Sequence, residues 1–244
     1  MARYVVTIDP DPFSEGEKTA PVGAAPLQAD LHQWEGDAGA QRYETMLRLI
    51  SQNVKEVIDI GVHAGTPALY KALPNMRFVL VDPMENGEAN IRVKPDSYTF
   101  LNIGISNAPG HLELAKDGAW SSFLKRTPLT TRGTKPVHTA KVQTLDWVIE
   151  NELESDAIGV KIDVEGFEGQ VIEGLNTQAD KVKFIIVEAS ILRRFEGAAD
   201  FSELVSLLLE RGFHFYNIMN PVAWPAPRYY DAVFLRKDDP LFAG

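Results

Sequence analysis

The sequence contains no cysteine, so disulfides, thiolate metal centres and cysteine nucleophiles are excluded. It also has no apolar run approaching the ~20 residues that cross a bilayer, and no membrane partner is expected. Positive charge is scarce: 24 Lys and Arg stand against 34 Asp and Glu, for a net charge of −10. No run of basic residues exceeds two. Such a balance disfavours a nucleic-acid backbone or an anionic lipid surface as partner. The five histidines, at 32, 63, 111, 138 and 214, show no metal-ligand spacing, so no metal is expected. Acids and prolines interrupt the opening "MARYVVTIDPDPFSEG" before a signal-like core can form, which makes a cytoplasmic location the expectation. The oligomeric state is not legible.

What the chain does have is a regular alternation of apolar runs and helical patterns. "EVIDIG" (56–61), "RFVLVD" (77–82), "YTFLNIGI" (98–105), "AIGVKIDV" (157–164), "KFIIVEA" (183–189), "FHFYNIM" (213–219) and "YDAVFLR" (230–236) read as strands. Helical spacing spans 39–52, 66–73, 85–93, 145–153, 166–176 and 201–211. Mostly apolar strands alternating with helices predict an α/β, Rossmann-like fold: a seven-stranded, mostly parallel sheet with helices on both faces. Only "NPVAWPAPR" separates the last two strands, which predicts an antiparallel strand at the sheet edge. Residues 1–35, rich in Pro, Gly and Ala, form an arm or lid outside the main domain of 36–244. An insertion at about 106–143 follows the third strand.

In open α/β sheets ligands bind beyond the carboxyl ends of the strands, at the switch point. Four predicted strand ends bear acids: Asp59, Asp82, Asp163 and Glu188. Asp82 follows Gly61 by 21 positions, the place from which a carboxylate reaches ribose hydroxyls. This suits NAD and S-adenosylmethionine alike, and the turn separates them. A dinucleotide turn needs glycine at 63 and 66, where this chain has His63 and Thr66. S-adenosylmethionine has no phosphate to accommodate, and Asp59 suits its positive charge. An NAD-dependent oxidoreductase and a non-catalytic nucleoside-binding protein are the alternatives.

"VIDIGVHAG", "VDPMEN", "LNIGISNAPGHLELA", "WSSFL", "VQTLDWVIE", "VKIDVEGFEGQVIEGL" and "IIVEAS" occur in this order. Together they resemble the FkbM-type family of S-adenosylmethionine-dependent methyltransferases over about residues 40–190. The resemblance implies a class I methyltransferase fold and methyl transfer to a hydroxyl of a sugar, glycan or natural-product small molecule. It assigns Asp59, Gly61 and Gly65 to the cofactor turn, and Asp82 with the adjoining Pro83 to the ribose. Ile103, Gly104 and Ser106 would flank the adenine, with Ser121 bordering the cofactor or acceptor. Asp163 would lie beside the methionine end or the reacting centre. The family usually has Asn or a similar small polar residue where this chain has His63.

An aliphatic hydroxyl is a weak nucleophile, and transfer requires that its proton be removed as it attacks. Asp163, Glu165 and Glu188 are the acids placed for that work, with Glu188 as base or substrate anchor. Trp34 and Trp224 are candidates for stacking on the acceptor.

Overall fold

The computed structural model describes residues 37–130, 133–219 and 228–243. The expected arm at 1–35, Trp34 and Trp224 lie outside them. Helix α1 (Asp37–Ile50) leads into β1 (Glu56–Ile60), α2 (Pro67–Ala72), β2 (Arg77–Val81), α3 (Gly87–Asn90) and β3 (Tyr98–Leu101). Three short strands follow, β4 (Gly104–Ile105), β5 (Gly110–Ala115) and β6 (Val137–Gln143). The chain continues with α4 (Leu145–Glu152), β7 (Ile158–Ile162), α5 (Glu168–Glu173) and β8 (Val182–Ser190). It closes with α6 (Phe201–Glu210), β9 (Phe213–Ile218) and β10 (Tyr229–Arg236).

Seven strands form one sheet in the order β3–β2–β1–β7–β8–β10–β9. All pairings from β3 to β8 are parallel, giving the mostly parallel sheet that the alternation predicts and the class I methyltransferase architecture that the resemblance implies. The strand order reverses between β1 and β7, which puts the switch point there. One face carries Leu47 and Ile50 of α1 and Leu69 of α2 against Phe78, Leu80, Phe184 and Ile186. The other carries Val148 of α4, Ile172 of α5 and Leu204 of α6 against Ile58, Val79, Val160 and Ile185. Gly159 is required by the first packing: a Cβ there would lie 2.2 Å from the Phe184 ring.

The expected antiparallel strand at the sheet edge is β9, which pairs antiparallel with β10; β10 in turn pairs antiparallel with β8 and lies between the two. The β10 segment Ala232–Leu235 is wholly buried, whereas β9 exposes several of its residues, as an edge strand does. Two details differ from the sequence reading. The expected strand 98–105 ends at Leu101, because the Asn102 amide donates to the Asp82 and Met84 carbonyls and turns the chain. Gly104–Ile105 then joins a separate three-stranded sheet, β4–β6–β5. The helix expected over 85–93 shrinks to α3, since Asn86 adopts a left-handed conformation and Ile91 is extended.

At the amino ends of the strands, Glu56 ties three segments together. It pairs with Arg77 of β2 at 2.7 Å and accepts the backbone N–H groups of Glu154 and Ser155. At the other end, α6 begins with a capping box in which Asp200 and Glu203 each accept the other's backbone N–H, a device worth about 1 kcal/mol.

Candidate functional site

A cavity opens at the carboxyl ends of β1, β2 and β7, at the switch point. Its floor starts with Gly61, whose φ of +84° lets the chain leave β1 under the end of β7. A Cβ on Gly61 would lie 1.8 Å from the Asp163 carbonyl oxygen, so only glycine fits. His63 follows with φ +46°, and that turn aims its backbone N–H at Asp82 Oδ2, 2.7 Å away. Met84 N–H donates to Oδ1 of the same carboxylate at 2.9 Å. Asp82 is thus fixed on both oxygens, with lone pairs left on each for a ligand's hydroxyls.

Gly61, His63, Asp82 and Pro83 line one side of this cavity, and Asp163 and Glu165 another. Ile103, Gly104 and Ser121 come from the small sheet and its loop, which also supply Leu114 and Phe123. The structure therefore brings together nine of the residues singled out in the sequence. Four others stand behind the wall and are not among the lining residues. Gly65 closes the turn after β1, donating its N–H to the Val62 carbonyl. Ser106 is buried and its backbone N–H joins β4 to β6 through Gln143. Asp59 is fully buried and accepts the Tyr70 hydroxyl at 2.7 Å. Glu188 is buried at the end of β8 beside Arg194.

Two basic residues organise these acids. Lys161, buried in β7, lies 3.1 Å from Asp163 Oδ2 and 3.8 Å from Asp59 Oδ1. Burial works against its charge, but Asp163 and Asp59 outweigh it and hold the ammonium protonated. Arg194, from the loop after β8, spans Glu165 at 3.1 Å and Glu188 at a closer contact, and its guanidinium also meets the Ser190 hydroxyl. Burial pushes the Glu165 carboxyl up to about 7, against the pull of Arg194 and with a further rise from Asp163 and Glu168. Glu188 is raised well above the usual carboxylate range by burial and by Asp163. Glu168, also raised by burial, accepts Gly166 N–H at 3.0 Å and thereby shapes the turn that carries Glu165.

The sequence reading missed both basic residues. Lys161 had a signal: a lone cation in the buried run "IGVKI" needs an acid on a neighbouring strand, and Asp59 is its register partner in β1. Arg194 had none, because Glu165 and Glu188 reach it only through folding.

Among the described residues that line the cavity there is no Lys or Arg, while Asp82, Asp163 and Glu165 are acids. A ligand with hydroxyls and a net positive charge fits, with apolar walls from Ile60, Val81, Ile103 and Phe123.

Residues 22–215, most of the chain, match the Methyltransferase FkbM domain family. The chain belongs to that family. S-adenosylmethionine is the cofactor of this FkbM domain, and the acidic donor set just described suits it. A curated relative, the hexuronic acid methyltransferase AglP of Haloferax volcanii, is 28% identical over 157 residues, covering 59% of this chain and 61% of that protein. The chain thus matches less than two thirds of that relative's length. Among solved structures, the FkbM domain is similar to magnesium protoporphyrin IX methyltransferase of Synechocystis PCC 6803 with bound SAM. The two share 11% identity with a TM-score of 0.47, over 91% of this chain and 86% of that one. It is also similar to the N-methyltransferase NodS of Bradyrhizobium japonicum, at 11% identity and a TM-score of 0.44, over 84% and 99% of the two chains. Among the described residues no helix is long and apolar enough to cross a membrane.

Proposed function

We propose that this protein is an O-methyltransferase that moves the methyl group of S-adenosylmethionine to a hydroxyl of a sugar, glycan or other small natural product. The observation that carries the reading is Glu165: a carboxyl on the cavity wall, poised at about 7, opposite a carboxylate fixed for a nucleoside. A base with that poise takes a proton from an attacking hydroxyl near neutral pH. The donor supplies an electrophilic methyl carbon attached to a sulfonium. As the acceptor oxygen bonds to that carbon, the carbon–sulfur bond breaks with its electrons going to sulfur, and the hydroxyl proton passes to Glu165. Asp82 holds the ribose hydroxyls. Asp163, paired with Lys161 at 3.1 Å, faces the positive end of the donor.

The hexuronic acid named as the substrate of the Haloferax relative supports a carbohydrate acceptor. The small sheet and the loop at Ser121 form the cavity side on which an acceptor would enter. The test is methyl transfer to a panel of monosaccharides, uronic acids and polyols, followed by mass spectrometry, with wild type and Glu165→Gln. The expected outcome is a product heavier by one methylene unit, with kcat in Glu165→Gln reduced about 10²–10⁴-fold and S-adenosylhomocysteine affinity retained. Equal turnover in the two proteins would remove Glu165 from this role.

A further inference from the structure

We infer that Arg194 is the positioning residue of the site and that it couples Glu165 to Glu188, so that the two carboxyls take up protons as one unit. The geometry is specific. Arg194 is buried, with Nη1 on Glu165 and Nη2 on Glu188. Its Nε and Nη2 meet the Ser190 hydroxyl at 3.3 and 3.1 Å. Phe195 and Tyr229 flank the guanidinium at 5.7 and 5.3 Å. Its own carbonyl accepts Thr127 N–H and the Thr130 hydroxyl, which pins it to the segment following Ser121. Glu165 is fixed from the other side, since its carbonyl accepts the buried Ser122 hydroxyl at 2.7 Å. The carboxyl of Glu165 cannot swing away without breaking its ion pair with Arg194.

One guanidinium between two buried carboxyls leaves one negative charge without a counter-charge if both are ionised, and burial makes that state costly. One proton is therefore retained between them near neutral pH. The other charged groups facing Glu165 are Asp163, Glu168 and Arg126; Asp163, Glu168, the Tyr229 hydroxyl and, across the β8–β10 pair, Asp231 face Glu188. The acids outnumber Arg126, and the raised values of Glu165 and Glu188 agree with this balance. Glu165 on the wall and Glu188 behind it thus share Arg194 as their common counter-charge.

This coupling stands on the geometry, and only its catalytic meaning rests on the reading of Glu165 as proton acceptor. A measurement on the protein without donor or acceptor separates the two. In full-length protein labelled with ¹³C at the glutamate carboxyls, the Glu165 resonance is the one lost in Glu165→Gln, and its pH midpoint is read by NMR. A wild-type midpoint near 7 is expected. The Glu188 resonance is identified in the same way with Glu188→Gln, and Glu165 is among the charges that raise it. Glu165→Gln, which removes that charge and keeps the shape, should lower the Glu188 midpoint by about one pH unit or more. Arg194→Gln should raise both midpoints, and Arg194→Lys, which keeps the charge, should leave them nearer the wild-type values. If Arg194→Gln does not fold, the Glu165→Gln and Arg194→Lys measurements decide. An unmoved Glu188 midpoint in Glu165→Gln would overturn the inference, whether or not methyl transfer is ever seen. Where turnover is measured, the acid limb of kcat should follow the Arg194 shifts in the same directions.

Discussion

Asp82 and Gly61 illustrate what one residue can hold at this site. Asp82 has both oxygens engaged by backbone N–H groups of the turns after β1 and β2, so its orientation is set before any ligand arrives. Asp82→Ala should weaken S-adenosylhomocysteine binding about 10-fold or more by calorimetry, since hydrogen bonds to a charged group contribute about 1.5–3 kcal/mol. Unchanged affinity would remove Asp82 from ribose binding. Gly61→Ala should destabilise the fold, because its methyl would meet the Asp163 carbonyl at 1.8 Å and force the ends of β1 and β7 apart. Denaturant melts of this variant should show a loss on the order of 2 kcal/mol or more. Both residues were legible in the sequence for local reasons: a glycine and an acid at strand ends follow from the α/β pattern. The partners of Glu165 were not. "SILRRF" looks like an ordinary polar loop, and only tertiary structure brings Arg194 between two carboxyls.

Strands and helices decide how the buried charges are tolerated. Asp59, Lys161, Glu188 and Asp231 lie on one face of β1, β7, β8 and β10, by their registers, and Asp163 follows Lys161 by two positions. Asp231 is opposite Glu188 in the β8–β10 pair, and burial, with Asp163 adding to it against Lys161, pushes its carboxyl up to about 7 from 3.8. Between those values the folded protein holds a proton that the unfolded chain has released. Its contribution is full below about pH 4 and is lost as pH rises through 7. Asp231→Asn should therefore raise the melting temperature relative to wild type more at pH 8 than at pH 5, measured by differential scanning fluorimetry. A difference independent of pH would contradict this. At the opposite ends of the strands, Glu56→Ala would strand the N–H groups of Glu154 and Ser155 and leave Arg77 without its partner. A loss of about 2–3 kcal/mol in urea unfolding is expected. Element types were readable from periodicity, whereas their ends were set by contacts: Asn102 terminates β3, and the left-handed Asn86 shortens α3.

For the whole molecule, the order β3–β2–β1–β7–β8–β10–β9 places the switch point, the fixed aspartate and the poised glutamate at one mouth. S-adenosylhomocysteine should raise the melting temperature of the intact protein while NAD leaves it unmoved, because NAD brings a diphosphate toward Asp82, Asp163 and Glu165 and S-adenosylhomocysteine does not. Stabilisation by NAD alone would contradict the donor assignment. The parallel core was legible because fully buried strands read as continuous apolar runs. The insertion of β10 between β8 and β9 was not, since sequence order gives no register between strands joined by a loop.

The three-stranded sheet has a consequence for how such proteins diversify. It furnishes Gly104, Leu114 and, from its loop, Ser121 and Phe123 to the mouth, yet it shares no strand pairing with the seven-stranded sheet. Substitutions in its loop around Ser121 can remodel the fit to a new acceptor without touching Ile105 of β4, which packs in the main core. Evolution, or a library restricted to the exposed positions of 110–130, can thus explore substrates on a scaffold whose stability is settled elsewhere.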